Sequence, residues 1–258
     1  MKMDRPLILL TNDDGIQAPG LRKLIEFVKP LGDIVVVAPD KPQSGMGHAI
    51  TITSPLHLHK IRGAHDHPEY SCSGTPVDCV KLGIDKILHR KPDLLVSGIN
   101  HGSNASINII YSGTMSAALE GAMEGIPSIG FSLIDYAWDA PFDHAAPYVV
   151  SVVQGVLNNG LPEGVCLNVN FPSASRGDIK GLKVCRQAMA HWKEEFDQRK
   201  DPHGRDYYWL TGVFENNDHG EDTDEWALKN QYVSVVPVHF DFTAHHAIET
   251  IKNWKIDV

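Results

Sequence analysis

Four short stretches of this chain place oxygen-bearing side chains where apolar runs stop. The run Leu7–Leu10 gives way to Thr11-Asn12-Asp13-Asp14-Gly15, and a second run, Ile34–Pro39, leads into a small-residue loop that carries Ser44. A third run, Asp93–Gly98, is followed by Asn100 and Asn104, and Tyr111-Ser112-Gly113-Thr114 opens a segment rich in alanine and glycine. Two ionised carboxylates about 5 Å apart, at an effective dielectric near ~20, repel by roughly 3 kcal/mol, enough to raise one pKa by about two units. A divalent cation removes that penalty. The all-oxygen set Asp13, Asp14, Ser44 and Asn100 suits a hard ion such as Mg²⁺ or Mn²⁺ better than zinc. Taken alone, Asp-Asp-Gly reads first as a turn with one Asp capping the next helix and the other solvated; the companion loops shift the balance toward a cation.

The Tyr111–Thr114 stretch has a complementary chemistry. A helix start presents free N–H groups and a positive dipole end, so small hydroxyl residues there can cradle a phosphate. The same residues also serve as a helix cap, Ser112 or Thr114 supplying the oxygen, with Ala117, Ala118 and Gly121 giving close packing.

Other catalytic patterns are missing. No G-x-G-x-x-G follows the first apolar run, and there is no G-x-x-x-x-G-K-[ST], G-x-S-x-G or H-E-x-x-H. Asp40, Ser44 and His48 fall in one loop, but proximity in sequence does not give a nucleophilic triad its geometry. His48 precedes the strand-like Ala49–Thr53 and is expected near the site, whereas His245 and His246 belong to an interface or a surface helix.

To bring such loops together the chain needs strands that end side by side. The runs Leu7–Leu10, Ile34–Pro39, Asp93–Gly98, Ser128–Leu133 and Val165–Asn170 are too short and continuous for amphipathic helices and read as strands buried on both faces. Segments with apolar residues at three- and four-residue steps lie between them: 19–31, 78–88, 114–125 and 145–159. This alternation predicts a mostly parallel sheet wound on both sides by helices, with ligands at the carboxyl ends of the strands. From about Ser173 the character changes. Residues 180–189, 206–212 and 232–240 read as strands with charged connections, including an acidic stretch from Asn216 to Glu225, and 245–254 as a closing helix. The expected division is a catalytic core over residues 1–172 and a smaller β-rich extension over 173–258.

Composition narrows the partners. The formal net charge is −9 and no cluster of five basic residues occurs, which argues against a duplex nucleic-acid surface. No run of 18 apolar residues is present and Met1 to Pro6 is too short and polar for a signal peptide, so the expectation is a cytoplasmic protein with no membrane partner. Cys72, Cys79, Cys166 and Cys185 lack zinc spacing and read as reduced packing thiols.

In its motifs the chain resembles the survival protein SurE family of metal-dependent nucleotidases and acid phosphatases. The resemblance rests on ILLTNDDGIQAPG, VVVAPDKPQSGMGHAIT, CSGTPVDCVKLG, PDLLVSGINHGSNAS, YSGTMSAALEGAMEGIPSIGFS and LNVNFP, in order from Ile8 to Pro172, and on TDEWALKNQYVSVVPV from Thr223 to Val238. It implies a Rossmann-like three-layer αβα core and one divalent cation per subunit, Mg²⁺ or Mn²⁺, held by Asp13, Asp14, Ser44 and Asn100. It also implies a phosphate site at Asn104, Ser112, Gly113 and Thr114, and a homodimer or homotetramer formed through exchanged C-terminal elements. The catalytic set it implies is Asp13, Asp14, Asn104, Ser112 and Thr114, acting on a nucleoside monophosphate as a 5′-nucleotidase, with 3′-nucleotides and polyphosphate left open as substrates. Which aspartate is base or nucleophile also stays open. The alternatives are a metal-dependent nucleoside N-ribohydrolase and a non-catalytic nucleotide sensor. His101, where small or polar residues are usual, and the acidic segment Asn216 to Trp226 are departures from the family pattern.

Overall fold

The computed structural model describes residues 5–61 and 66–254; residues 1–4 of the polar N-terminal stretch lie outside them. In chain order the elements are β1 (Leu7–Thr11), α1 (Pro19–Val28), β2 (Asp33–Pro39), β3 (Leu58–Lys60), β4 (Glu69–Cys72), α2 (Pro76–Leu82), β5 (Leu94–His101), α3 (Gly113–Met123), β6 (Ser128–Leu133), α4 (Ala146–Asn159) and β7 (Val165–Phe171). There follow β8 (Gly181–Val184), β9 (Ala190–Lys200), β10 (Asp206–Asn216), α5 (Asp224–Lys229), β11 (Tyr232–His239) and α6 (Ile248–Lys252). All five expected core strands form. Those runs are continuous because both sheet faces are covered: Ile8 and Leu10 pack with α1 and α4 through Leu21, Leu24, Val149 and Val153. Leu9, one residue out of phase, packs with Cys79, Val80 and Ala117 of α2 and α3 on the other face. These are the three layers of an α/β domain.

The large sheet runs β3-β4-β2-β1-β5-β6-β7-β11-β8. Strands β4, β2, β1, β5, β6 and β7 run parallel to one another, and β3 is antiparallel to β4. From β1 the chain steps outward to β2, then returns past β1 to β5. The crevice beyond the carboxyl ends of β1 and β5 is therefore a topological switch point, the place where parallel α/β sheets bind ligands. The starts of α1, α2 and α3 each have a local cause. Gly15 adopts φ +100°, a turn that costs an L side chain strain, and lets the chain leave β1 before Pro19 opens α1. Thr75 and Asp78 form a reciprocal capping box on α2. The Ser112 hydroxyl accepts from Met115 N at 3.0 Å and caps α3.

Beyond residue 172 two strands continue the main sheet: β11 pairs antiparallel with β7, and β8 pairs parallel with β11. Strands β9 and β10 instead form a separate two-stranded ribbon, in register from Ala190↔Asn216 to Lys200↔Asp206. Phe196 and Leu210 face each other across it and are 68% and 63% exposed. The expected closing helix over 245–254 is shorter, a 3₁₀ turn at His245–Ala247 leading into the five residues of α6, all without a buried side chain. A helix that buries no face has little beyond propensity to hold it. No helix among the described residues is long and apolar enough to cross a membrane. The four cysteines are free and buried.

Candidate active site

Asp13 and Asp14 leave the end of β1 directly into the switch-point crevice. Asp13 is 3% exposed. Its Oδ1 accepts the Thr114 hydroxyl at 2.5 Å, and its backbone carbonyl accepts Gln43 N at 2.8 Å, which fixes the loop bearing Ser44. The first turn of α3 lies against it: a Cβ on Gly113 would stand 2.8 Å from Asp13 Cβ and 3.0 Å from its Oδ2, so only glycine lets the helix start come this close. Burial and then the charge of Asp14 push the Asp13 carboxyl from its ordinary 3.8 up to about 6, against the pull of the Thr114 hydrogen bonds.

Asp14 is held from β5. Its Oδ2 accepts His101 N at 3.2 Å and pairs with His101 Nδ1 at 3.0 Å. The imidazole is clamped in turn, stacked on Trp138 at 5.6 Å and edge-on to Phe142 at 5.1 Å. This leaves Asp14 Oδ1 without a hydrogen bond among the described residues. Next to His101, the Asn100 amide nitrogen donates to Gly102 O at 3.0 Å, so its carbonyl oxygen stays free. A register shift between Ser97 and Asn100 in the β5–β6 pairing re-aims this strand end. Ser44 is exposed and its hydroxyl is uncommitted among the described residues. These oxygens, with a carboxylate whose charge burial penalises, fit a hard divalent cation. No group of three or more His, Cys, Asp and Glu side chains is placed to hold a metal among the described residues, so a cation here would need the Ser44 and Asn100 oxygens beside the two carboxylates.

Asn104 is 5% exposed and sits on a buried amide relay. Its side chain donates to Ser132 Oγ at 2.6 Å, its N–H to Asn170 Oδ1 at 2.8 Å, and Asn168 donates to Asn104 O at 2.7 Å. Of the helix-start residues, Ser112 spends its lone pair on the cap and Thr114 its proton on Asp13. The Gly113 N–H has no partner among the described residues.

The structure thus brings Asp13, Asp14, Asn100, Ser112, Gly113 and Thr114 around one crevice, with Ser44 one residue beyond the Gln43 anchor and Asn104 on the adjoining loop. His48 lies against the flank of α3, where Nε2 meets Glu120 Oε2 at 2.9 Å and Lys81 completes the cluster from α2, while the neighbouring Gly47 N donates to Tyr111 O at 3.3 Å just before the helix start. Burial opposes ionisation of Glu120, but the His48 and Lys81 hydrogen bonds outweigh it and hold the carboxyl below the usual range. This ion cluster latches the Ser44 loop to two helices. His245 and His246 are exposed on the C-terminal turn. Sequence reasoning missed the His101 grip on Asp14, since the residue stood out only as unusual. It also missed the Asn168–Asn170 relay, for which two polar residues two apart on a buried strand were a usable signal.

The model of the survival protein SurE family matches residues 8–194. The chain belongs to that family. It is similar to the 5′-nucleotidase SurE of Flavobacterium psychrophilum, 63% identical over 99% of this chain and 100% of the relative, and to that of Christiangramia forsetii, 61% identical over the whole of both. The crystal structure of the SurE protein from Aquifex aeolicus superposes with a TM-score of 0.83 at 46% identity, covering 96% of this chain and 98% of that one. The family's metal dependence agrees with the free oxygens of the crevice.

Proposed function

We propose that this chain is a divalent-metal-dependent phosphomonoesterase that hydrolyses nucleoside monophosphates to nucleoside and phosphate. One observation carries the reading: a buried carboxylate, Asp13, is bonded by the first turn of α3 beside a second carboxylate, at the switch point of a parallel sheet. Full-length relatives carrying the name 5′-nucleotidase support it. Asp13, Asp14, Ser44 and Asn100 would hold one Mg²⁺ or Mn²⁺. When bound, the cation neutralises phosphate oxygens and lowers the pKa of attacking water.

The remaining work falls to the chain itself. The Gly113 N–H, the Ser112 hydroxyl and the positive end of α3 face the transferring phosphoryl group, where preorganised donors stabilise developing charge. Thr114 acts through Asp13, orienting its carboxylate. The buried relay behind Asn104 holds that residue at the crevice edge, so that it meets phosphate without rearrangement. His101 orients Asp14.

The ribbon β9–β10 and the strands after residue 172 complete a core of residues 1–172, and the uncovered apolar face of the ribbon supports a homodimer or homotetramer. Four unpaired buried thiols favour a reducing compartment, the cytoplasm. A nucleotide panel assayed for inorganic phosphate, with chelator and Mg²⁺ or Mn²⁺ add-back, tests the function. Release of free base, or binding without turnover, would refute it. Asp14→Asn is expected to abolish turnover while the protein stays folded.

A further inference from the structure

Next to the crevice, a cavity of about 640 Å³ opens between the Ser103–Asn108 loop, the loop after β6 and the base of the β9–β10 ribbon. It is within the range of about 300–1,000 Å³ typical of small-molecule sites. Its connection to the proposed phosphate site is covalent and short. Ser103 lines the cavity and immediately precedes Asn104, so their Cα atoms are about 3.8 Å apart. The Tyr136 ring packs on the backbone between Asn100 and Asn104, where a Cβ on Gly102 would run into its Cε1, Cδ1 and Cζ. Ser103 and Tyr136 therefore put the cavity within reach of a molecule whose phosphate is held at Asn104.

The walls have a consistent chemistry. Tyr136, 75% exposed, together with Trp192 and Trp226, gives aromatic surface. Trp192 Nε1 donates to Asn108 Oδ1 at 2.8 Å, which fixes the amide and leaves its NH₂ without an acceptor among the described residues. Glu225 has no ion-pair partner among the described residues, although Lys229 follows one helical turn later. Burial and then the charge of Asp224 push the Glu225 carboxyl up to about 7, so near neutrality a share of it carries a proton to donate. The same cavity is bordered by Asp218, already paired with Arg186. With Asp218 paired, Glu225 partly protonated and Lys229 on the same wall, the lining carries little net charge and suits an uncharged, planar, heteroatom-rich ring.

We propose that this cavity is the nucleobase subsite, with Tyr136 as the stacking platform and Asn108 and Glu225 reading the base edge. The proposal rests on the phosphomonoesterase reading and names what lies beyond the phosphate.

Two measurements test it separately from that reading. In the first, kcat/KM for purine and pyrimidine nucleoside monophosphates is divided by kcat/KM for ribose 5-phosphate, which lacks the base. Tyr136→Ala is expected to lower that ratio about tenfold, the scale of losing one base–aromatic stack. Glu225→Gln, which keeps the side-chain shape, is expected to reorder the bases. In the second, adenosine and cytidine, free of phosphate, are titrated into the full chain and binding is followed by calorimetry; Tyr136→Ala is expected to weaken binding by a similar factor. A ratio and base order unchanged in both variants would overturn the proposal, as would parallel losses on ribose 5-phosphate or a wild type that binds neither nucleoside. Failure of the enzymatic reading looks different: no substrate releases phosphate, yet nucleoside binding persists.

Discussion

Asp13→Asn should make the metal-free protein more stable at neutral pH while destroying its response to metal. Asp13 is buried, and its carboxyl titrates near 6 in the folded protein against an ordinary 3.8. Between those values the folded state holds a proton that the unfolded chain has already released. Stability attributable to this residue therefore falls as pH rises from about 4 to about 6, and the full penalty applies above that window. A displacement of about two units corresponds to about 3 kcal/mol. The asparagine keeps an oxygen for the Thr114 hydroxyl but brings an amide nitrogen that must find an acceptor, a loss of about 1 kcal/mol. The net expectation is a gain of about 2 kcal/mol at pH 8 in chelator, shrinking toward zero or below near pH 4. Urea unfolding of both proteins at the two pH values reads this directly. Groups such as Asp66, Asp93 and Asp222, whose carboxyls are held low by their cationic partners, cancel in the comparison because both proteins share them. On adding Mg²⁺ the order reverses: a cation at about 100 times its Kd adds about 2.7 kcal/mol to the wild type. A variant no more stable than wild type at pH 8 in chelator, or a stability gap that does not change with pH, would refute the argument that a buried charge is being held for a cation.

Three further outcomes follow from the same geometry. Gly113→Ala drives a Cβ into Asp13, at 2.8 Å from its Cβ, and is expected to cost about 1–3 kcal/mol in denaturant and to cut phosphate release at least tenfold; a stable, fully active variant would show that α3 does not need this approach. His101→Asn removes the ring clamp on Asp14 and is expected to weaken Mn²⁺ binding, measured by titration of the metal alone, about 10–100-fold. Paired Phe196→Glu and Leu210→Glu place two charges on the open face of the ribbon, and for the proposed homo-oligomer sedimentation should show a shift to monomers with the far-UV spectrum retained; an unchanged sedimentation coefficient would refute the proposal that this face is an interface.

Legibility in the sequence tracked locality. The five core strands were readable because burial on both faces demands an unbroken apolar run, and α3 because Ser112 and a train of small residues announce a capped, closely packed helix. Strands β3 and β4 were not readable: LHK and EYSC are short and mixed, and form an edge that only the pairing with β2 defines. Strand β9, AHWKEEFDQRK, looks like a charged connection because its order comes from β10 across a local turn and not from a core. Helix α5 has six residues, too few for a period to show, and Asp224 at its start is instead fixed by Ser106 N and Ala188 N from distant loops. The site divides along the same line. Asp13, Asp14, Asn100 and the Ser112–Thr114 turn were legible because strand ends in a parallel sheet converge whatever the details of packing. The grip of His101 on Asp14 spans 87 residues and exists only because β5 returns to lie beside β1. The crossover that makes the crevice also supplies the residue that orients its second carboxylate. A change in sheet order would therefore part the two carboxylates from Asn100 and from the His101 grip together.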